Sequence, residues 1–129
     1  MRRALLLSAL LMSAALAAPA SATDQNYPVV FAGGAGAATM SASVKGTDTA
    51  RFVVTVAAGQ TLSVVLQAGK PSCYFDVLAP GGGDPIFQGT SAGREFTGAA
   101  EAAGDYTIEV RQGDQAAGTC IVGMTFTLS

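Results

Sequence analysis

The chain has 129 residues, half of them hydrophobic and only 12% charged, with two cysteines, no histidine and no tryptophan. Seven Lys/Arg stand against nine Asp/Glu, which excludes the basic surface that phosphate-backbone binding needs, so no nucleic acid is expected as partner. The lack of histidine removes the imidazole on which serine triads depend.

At the N-terminus, Arg2 and Arg3 form a positive n-region, Ala4 to Ala18 an apolar h-region and Ala20-Ser21-Ala22 a small-residue cleavage site. Residues 1–22 therefore read as a signal peptide whose removal leaves a mature chain from Thr23 in a periplasmic or secreted location. The apolar run is too short for a stable anchor, and no later stretch reaches the roughly 18 apolar residues of a span. No membrane insertion is expected after cleavage. Loss of Arg2 and Arg3 leaves Lys45, Arg51, Lys70, Arg94 and Arg111 against the nine carboxylates, five minus nine, a net of about −4. An acidic body suits a cationic partner through steering; mild acidity also serves solubility alone.

The remaining length fits one domain with one modest core. Residues 23–36, ending in FAGGAG, read as a flexible lead-in. No lysine-serine or lysine-threonine pair follows these glycines, so they are not a phosphate loop. From 37 to 129, apolar residues recur with period two between glycine-bearing turns, the pattern of short strands. Phe52, Val54 and Val56 share one face; Ala58-Gly59-Gln60 turns the chain; Leu62, Val64 and Leu66 repeat the alternation, and the two runs read as a hairpin-like pair. Tyr74 to Leu78 follows, closed by Pro80 and Gly81-Gly82-Gly83, and Ile86-Phe87 opens another short strand. Tyr106, Ile108 and Val110, then Val122, Met124, Phe126 and Leu128, mark the last two inward faces.

Seven or eight such strands predict an all-β domain, an antiparallel two-layer β-sandwich of jelly-roll or immunoglobulin-like type. Cys73 is in phase with Phe75 and Val77, and Cys120 with Val122 and Met124, so both thiols point into the core. In an oxidising compartment this even pair predicts one disulfide.

GTSAG, residues 89–93, matches the G-x-S-x-G pattern of a nucleophile elbow. Without histidine Ser91 has no base, and the Arg94 to Gly98 stretch shows no helical period, so the segment reads as a turn and the chain as a non-enzyme. The carboxylates that could serve as an acid and base pair lie mostly at turns or on outward phases, with Asp76 between Phe75 and Val77 the exception. Their spacing matches no EF-hand loop, and no metal or cofactor is expected.

The run from Lys45-Gly46 through Arg51-Phe52-Val53-Val54, then AGQTLSV (58–64), YFDVLAP (74–80), DPIFQGTSAGREFTG (84–98) and AGDYTIEV (103–110), resembles the periplasmic inhibitors of g-type lysozyme. The order and spacing cover roughly residues 37 to 128. Pieces such as AGQTLSV also recur in secreted β-domains of the pre-peptidase C-terminal type. The resemblance implies a β-sandwich that binds a cationic lysozyme and plugs its substrate cleft, with no cofactor. With that reading the contact loops are expected at Ser91 to Arg94 and Arg111 to Gln115, with Ser91, Arg94, Arg111, Gln112, Asp114 and Gln115 as partner-binding residues. Where the family carries a Tyr-Leu-Met-Arg run and an arginine-rich loop, this chain reads Arg111-Gln112-Gly113-Asp114-Gln115-Ala116-Ala117-Gly118 and keeps one matching charge. The alternative is a non-inhibitory envelope module that binds carbohydrate or another protein.

Overall fold

The computed structural model describes residues 24–113 and 118–129. Nine strands appear among them: β1 (Asp24–Val29), β2 (Gly36–Lys45), β3 (Thr49–Val56), β4 (Thr61–Ala68), β5 (Cys73–Leu78), β6 (Phe87–Gln88), β7 (Glu95–Ala99), β8 (Gly104–Gln112) and β9 (Thr119–Leu128). A single helical turn, α1 (Gly89–Ala92), joins β6 to β7. The strands form two sheets, ordered β1-β3-β8-β5-β6 and β2-β9-β4-β7. This is the two-layer β-sandwich expected from the period-two pattern, antiparallel except where β1 runs parallel to β3.

The alternation places the core as expected. Phe52, Val54, Phe75, Val77, Ile108 and Val110 on one sheet face Val64, Val122, Met124 and Phe126 on the other, all with 0% exposure. Phe52 and Phe126 meet across the layers with ring centroids 5.4 Å apart. Burying such side chains contributes about 1.5–3 kcal/mol each before chain entropy is set against it.

Two expectations need correction, and one strand went unread. The β3 and β4 runs do not form a hairpin: β3 pairs with β1 and β8, whereas β4 pairs with β9 and β7. Residues 57–60 instead carry the chain from one sheet to the other, with Ala57 N–H donating to Gln60 Oε1 at 2.8 Å and Gly59 supplying the positive φ of the bend. Period-two patterning reports which face is buried, not which strand is the neighbour. Residues 24–29 of the expected lead-in are strand β1, in register with Thr49–Val54. Tyr27 stacks on Phe52 at 5.1 Å, and Pro28 is tolerated because β1 lies at a sheet edge. The strand β2 escaped notice because its inward positions are mostly small; only Ala42 and Val44 are fully buried.

From β1 to β9 the chain changes sheet at every connection except β5 to β6. Two crosslinks hold the layers where β8 turns into β9. The Cys73–Cys120 disulfide joins β5 to β9 over a separation of 47 residues. Beside it, the buried Gln112 amide donates to Val44 O at 2.8 Å and Gly118 O at 3.0 Å, linking β8 to the end of β2. In the chain-entropy model a crosslink of this span contributes about 4 kcal/mol. Replacing both cysteines by serine is expected to lower unfolding stability by about that amount, read as a lower urea midpoint with a larger m-value, because the uncrosslinked unfolded chain exposes more surface.

Candidate functional site

The loops singled out in the sequence converge near one end of the sandwich, through the β4–β5 connection. Gly113 N–H donates to Ser72 O at 2.8 Å, and Gly46 N–H to Gly118 O at 2.9 Å. The Arg94 guanidinium donates to Lys70 O at 3.0 Å, while Leu66 N–H donates to Arg94 O at 2.9 Å. Arg94 is thus held at both its backbone and its head group. Lys45, Lys70, Arg94 and Arg111 all lie at this end, and Arg51 sits in the adjoining half of β3.

Arg111 is placed by the outer face of the five-stranded sheet. Register sets Arg51 opposite Glu109, and Glu109 opposite Asp76. Two carboxylates directly opposed across strands repel, and the guanidinium of Arg111 resolves this by reaching Asp76 Oδ2 at 2.8 Å and Glu109 Oε2 at 3.4 Å. The same guanidinium lies 5.9 Å from the centroid of the Tyr74 ring, its cross-strand neighbour. Glu109 Oε1 also accepts from Arg51 Nε at 3.1 Å, and Arg51 pairs with Asp24 Oδ2 at 2.6 Å. The row Asp24–Arg51–Glu109–Arg111–Asp76 therefore crosses β1, β3, β8 and β5 without a break. Hydrogen bonds that Arg51 donates to Asp24 and then to Glu109 raise its pKa above the ordinary value. A raised cation contributes stability below its unfolded pKa that is lost only above its folded one, so this contribution is constant across neutral pH.

Asp76 explains the GTSAG turn. Its side chain is on the outward phase, yet the residue is only 7% exposed, and its Oδ1 accepts the Gly89 N–H at 3.2 Å. The first glycine of the motif is required by contact: a Cβ at position 89 would lie 2.3 Å from Phe75 O. The last glycine, Gly93, has φ +102°, where side chains are rarely accommodated. The exposed Ser91 donates its hydroxyl to Gln88 O at 3.3 Å, a bond within its own turn. Both glycines thus have structural reasons, and the chain crosses here from the β6 edge to β7.

Of the expected contact residues, Ser91 is exposed and Arg94 and Arg111 are partly exposed. Gln112 is not at the surface: 7% exposed, it braces the two sheets from within. The signal was present in the sequence, since position 112 continues the inward phase of Tyr106, Ile108 and Val110. Asp114 and Gln115 lie outside the described residues. Sequence reasoning did not find the cleft of about 370 Å³ at the opposite end, lined by Pro80, Ile86, Phe96, Glu101 and Tyr106. Ile86, 52% exposed, is its clearest marker.

No family model and no curated protein matches the chain. Solved structures do. The structure of PliG from Aeromonas hydrophila, a periplasmic inhibitor of g-type lysozyme, superposes with a TM-score of 0.75 at 28% identity, covering 84% of this chain and 100% of that one. The chain resembles the periplasmic inhibitors of g-type lysozyme. A mutant PliG from Escherichia coli follows with a TM-score of 0.61 at 19% identity, again over 84% of this chain and 100% of its own. The pre-peptidase C-terminal domain of a Bacillus anthracis collagenase gives 0.57 at 14%, over 87% and 100%. These last two likenesses bear on the fold. Arg111 is the last but one residue of β8, and it is bound there to two carboxylates.

The ion-pair row and the glycine contact make separable predictions. Arg111→Ala strands the largely buried Asp76 carboxylate and is expected to cost about 2 kcal/mol, measured by chemical denaturation. Gly89→Ala forces β6–α1 away from β5 and should accelerate amide exchange there, whereas Ser91→Ala should leave both readouts unchanged.

Proposed function

We propose that the chain, after loss of residues 1–22, is a periplasmic or secreted protein that inhibits a lysozyme, with the g-type class as its target. The observation that carries this reading is the 0.75 superposition on the whole of the Aeromonas hydrophila PliG at 28% identity. The proposed mechanism is occlusion: loops at the end bearing Arg94 and Arg111 enter the enzyme's substrate cleft, where glycoside hydrolases place their paired carboxylates. A guanidinium approaching such carboxylates forms charge-assisted hydrogen bonds. Arg94 and Arg111 are already tethered within the chain, so they lose little side-chain freedom on binding, which favours affinity. The whole sandwich, β1 included, forms the binding domain in this reading, and no catalytic group is assigned.

A second reading has its own support. Both candidate arginines are engaged internally, and the segment 111–118 lacks the arginine-rich run of the inhibitors it resembles. A pre-peptidase-like envelope module that binds carbohydrate or protein without inhibiting an enzyme fits those two facts.

The test uses the disulfide-bonded chain from Thr23 against g-, c- and i-type lysozymes on cell-wall substrate, with direct binding measured in parallel. Inhibition of the g-type enzyme alone is expected. Arg94→Ala with Arg111→Ala should weaken it at least about tenfold, in line with truncation of one partner in buried charge pairs. Arg111→Lys separates contact from folding, since it keeps a cation beside Asp76 while losing the forked geometry. Binding without inhibition supports the envelope-module reading. A folded protein that neither binds nor inhibits any lysozyme would overturn the proposal.

A further inference from the structure

The inner face of β7 runs short of side chains before the strand ends. Its inward positions are Phe96 and Gly98, and a Cβ at position 98 would lie 2.8 Å from Phe96 Cζ, so the ring lies folded back over the glycine. Across from it Pro80 sits on the backbone of Gly104, where a Cβ would come within 2.8 Å of the proline Cβ. Between these two contacts the layers part, and the gap is the cleft of about 370 Å³, a volume within the range of small-molecule sites. Phe96 from one sheet and Tyr106 from the other give it aromatic walls, with Pro80, Ile86 and the exposed Glu101 of the β7–β8 connection completing the lining. The Phe96 wall is braced from behind: its ring meets Phe87 edge-on at 5.4 Å, and Phe87 stacks on the core residue Phe75 at 5.0 Å.

The polar groups of this lining select the charge of what enters. It contains no lysine, arginine, asparagine, glutamine or histidine, and its one side-chain hydroxyl, Tyr106, already donates to Ala102 O at 3.2 Å. What these side chains still offer is acceptance, from the Glu101 carboxylate and the lone pairs of the phenol oxygen. Glu101 has no hydrogen-bond or ion-pair partner among the described residues. The segments that frame the cleft, 79–86 and 98–106, carry Asp84, Glu101 and Asp105 and no cation, whereas Lys45, Lys70, Arg94 and Arg111 are gathered at the other end. The faces of Phe96 and Tyr106 add to this field, because aromatic quadrupoles attract cations. An anionic ligand would meet like charge and no free side-chain donor.

We infer that the cleft is a binding site for a small organic ammonium, its cationic head held by Glu101 and the faces of Phe96 and Tyr106, and its aromatic or branched aliphatic body laid along Pro80 and Ile86. Such a ligand answers both anomalies of the cleft at once: it supplies the missing partner of a carboxylate and covers an isoleucine left half exposed. An inorganic cation answers neither. Among the described residues no three carboxylates gather as a metal site, and an ion would leave the apolar walls wet. The site lies away from Arg94 and Arg111, so the inference does not rest on the inhibitor reading, and both ends of the sandwich can be occupied together.

The experiment is an NMR titration of the mature disulfide-bonded chain with phenethylamine, which is protonated at neutral pH, beside phenylacetate and 2-phenylethanol, which carry the same ring with an anionic and a neutral head. The amine is expected to shift the amides of residues 96–106 saturably, half-saturating near ~1 mM as suits so few atoms. Phenylacetate should produce no saturable shift, and the alcohol should bind at least about threefold more weakly. Glu101→Gln should weaken the amine about threefold or more while leaving the alcohol unchanged, and Ile86→Lys, which sets a cation beside the site, should abolish amine binding. Both side chains are exposed, so the thermal transition of each variant should stay in place. No saturable shift up to ~10 mM amine would overturn the inference. So would an equal response to all three probes, amine binding indifferent to Glu101→Gln, or shifts confined to the surroundings of Arg94 and Arg111.

Discussion

A carboxylate held inside a β-sheet must be answered by donors, and the Asp76 carboxylate is answered from two directions. One oxygen takes the Gly89 N–H at the start of α1, and the other takes Arg111 from β8. The first bond fixes where the chain leaves the five-stranded sheet to cross to β7. The second fixes the last outward side chain before the β8–β9 connection. Remove the carboxylate and a crossing and a candidate contact loop lose the same anchor. This shared dependence follows from register, since Asp76 opposes Gln88 on one side and Glu109 on the other.

The consequence for binding is that the candidate arginines are components of the scaffold before they are components of any interface. Arg111 spans two carboxylates and lies near Tyr74; Arg94 closes the β4–β5 turn through Lys70 O. A tethered cation offers a partner a fixed direction, but each bond it makes at home competes with one it could make abroad. The Arg111 side chain remains 39% exposed, while its carboxylate partners are 10% and 15% exposed. An incoming carboxylate could therefore join the Arg111 site without first dismantling it.

What the sequence disclosed, and what it withheld, follows one rule. Strands with large inward residues, such as Phe52-x-Val54-x-Val56 and Val122-x-Met124-x-Phe126, were legible because burial of big side chains has to follow the pleat. The disulfide was legible for the same reason. Pairing was not, because alternation is identical whether the next strand lies alongside or across the core, and here it almost always lies across. β2 was hidden by its alanines and serines, and β1 by its glycine-rich sequel. At the site, phase marked Gln112 as inward, but a polar residue beside a charged loop invited a surface reading. The glutamine is inward because a buried amide can satisfy carbonyls on two elements at once, Val44 and Gly118.

The two outer faces show how one domain can treat its surfaces in opposite ways. On the five-stranded sheet a row of fixed charges crosses four strands, and any slip of register would part Arg51 from Glu109 or Arg111 from Asp76. The row thus specifies alignment as well as contributing modest ion-pair energy. On the four-stranded sheet the outward positions of β2 and β9 are mainly alanine, serine and threonine, with Ile121 68% exposed. Hydroxyl pairs such as Ser63 with Thr97, 3.1 Å apart, tolerate a shift that charges would not. Alignment on that side must come from the core phase and from the Cys73–Cys120 link, which locks β9 to β5. The disulfide therefore stands where charge patterning is absent, and it transfers the register fixed by one sheet to the sheet that cannot fix its own.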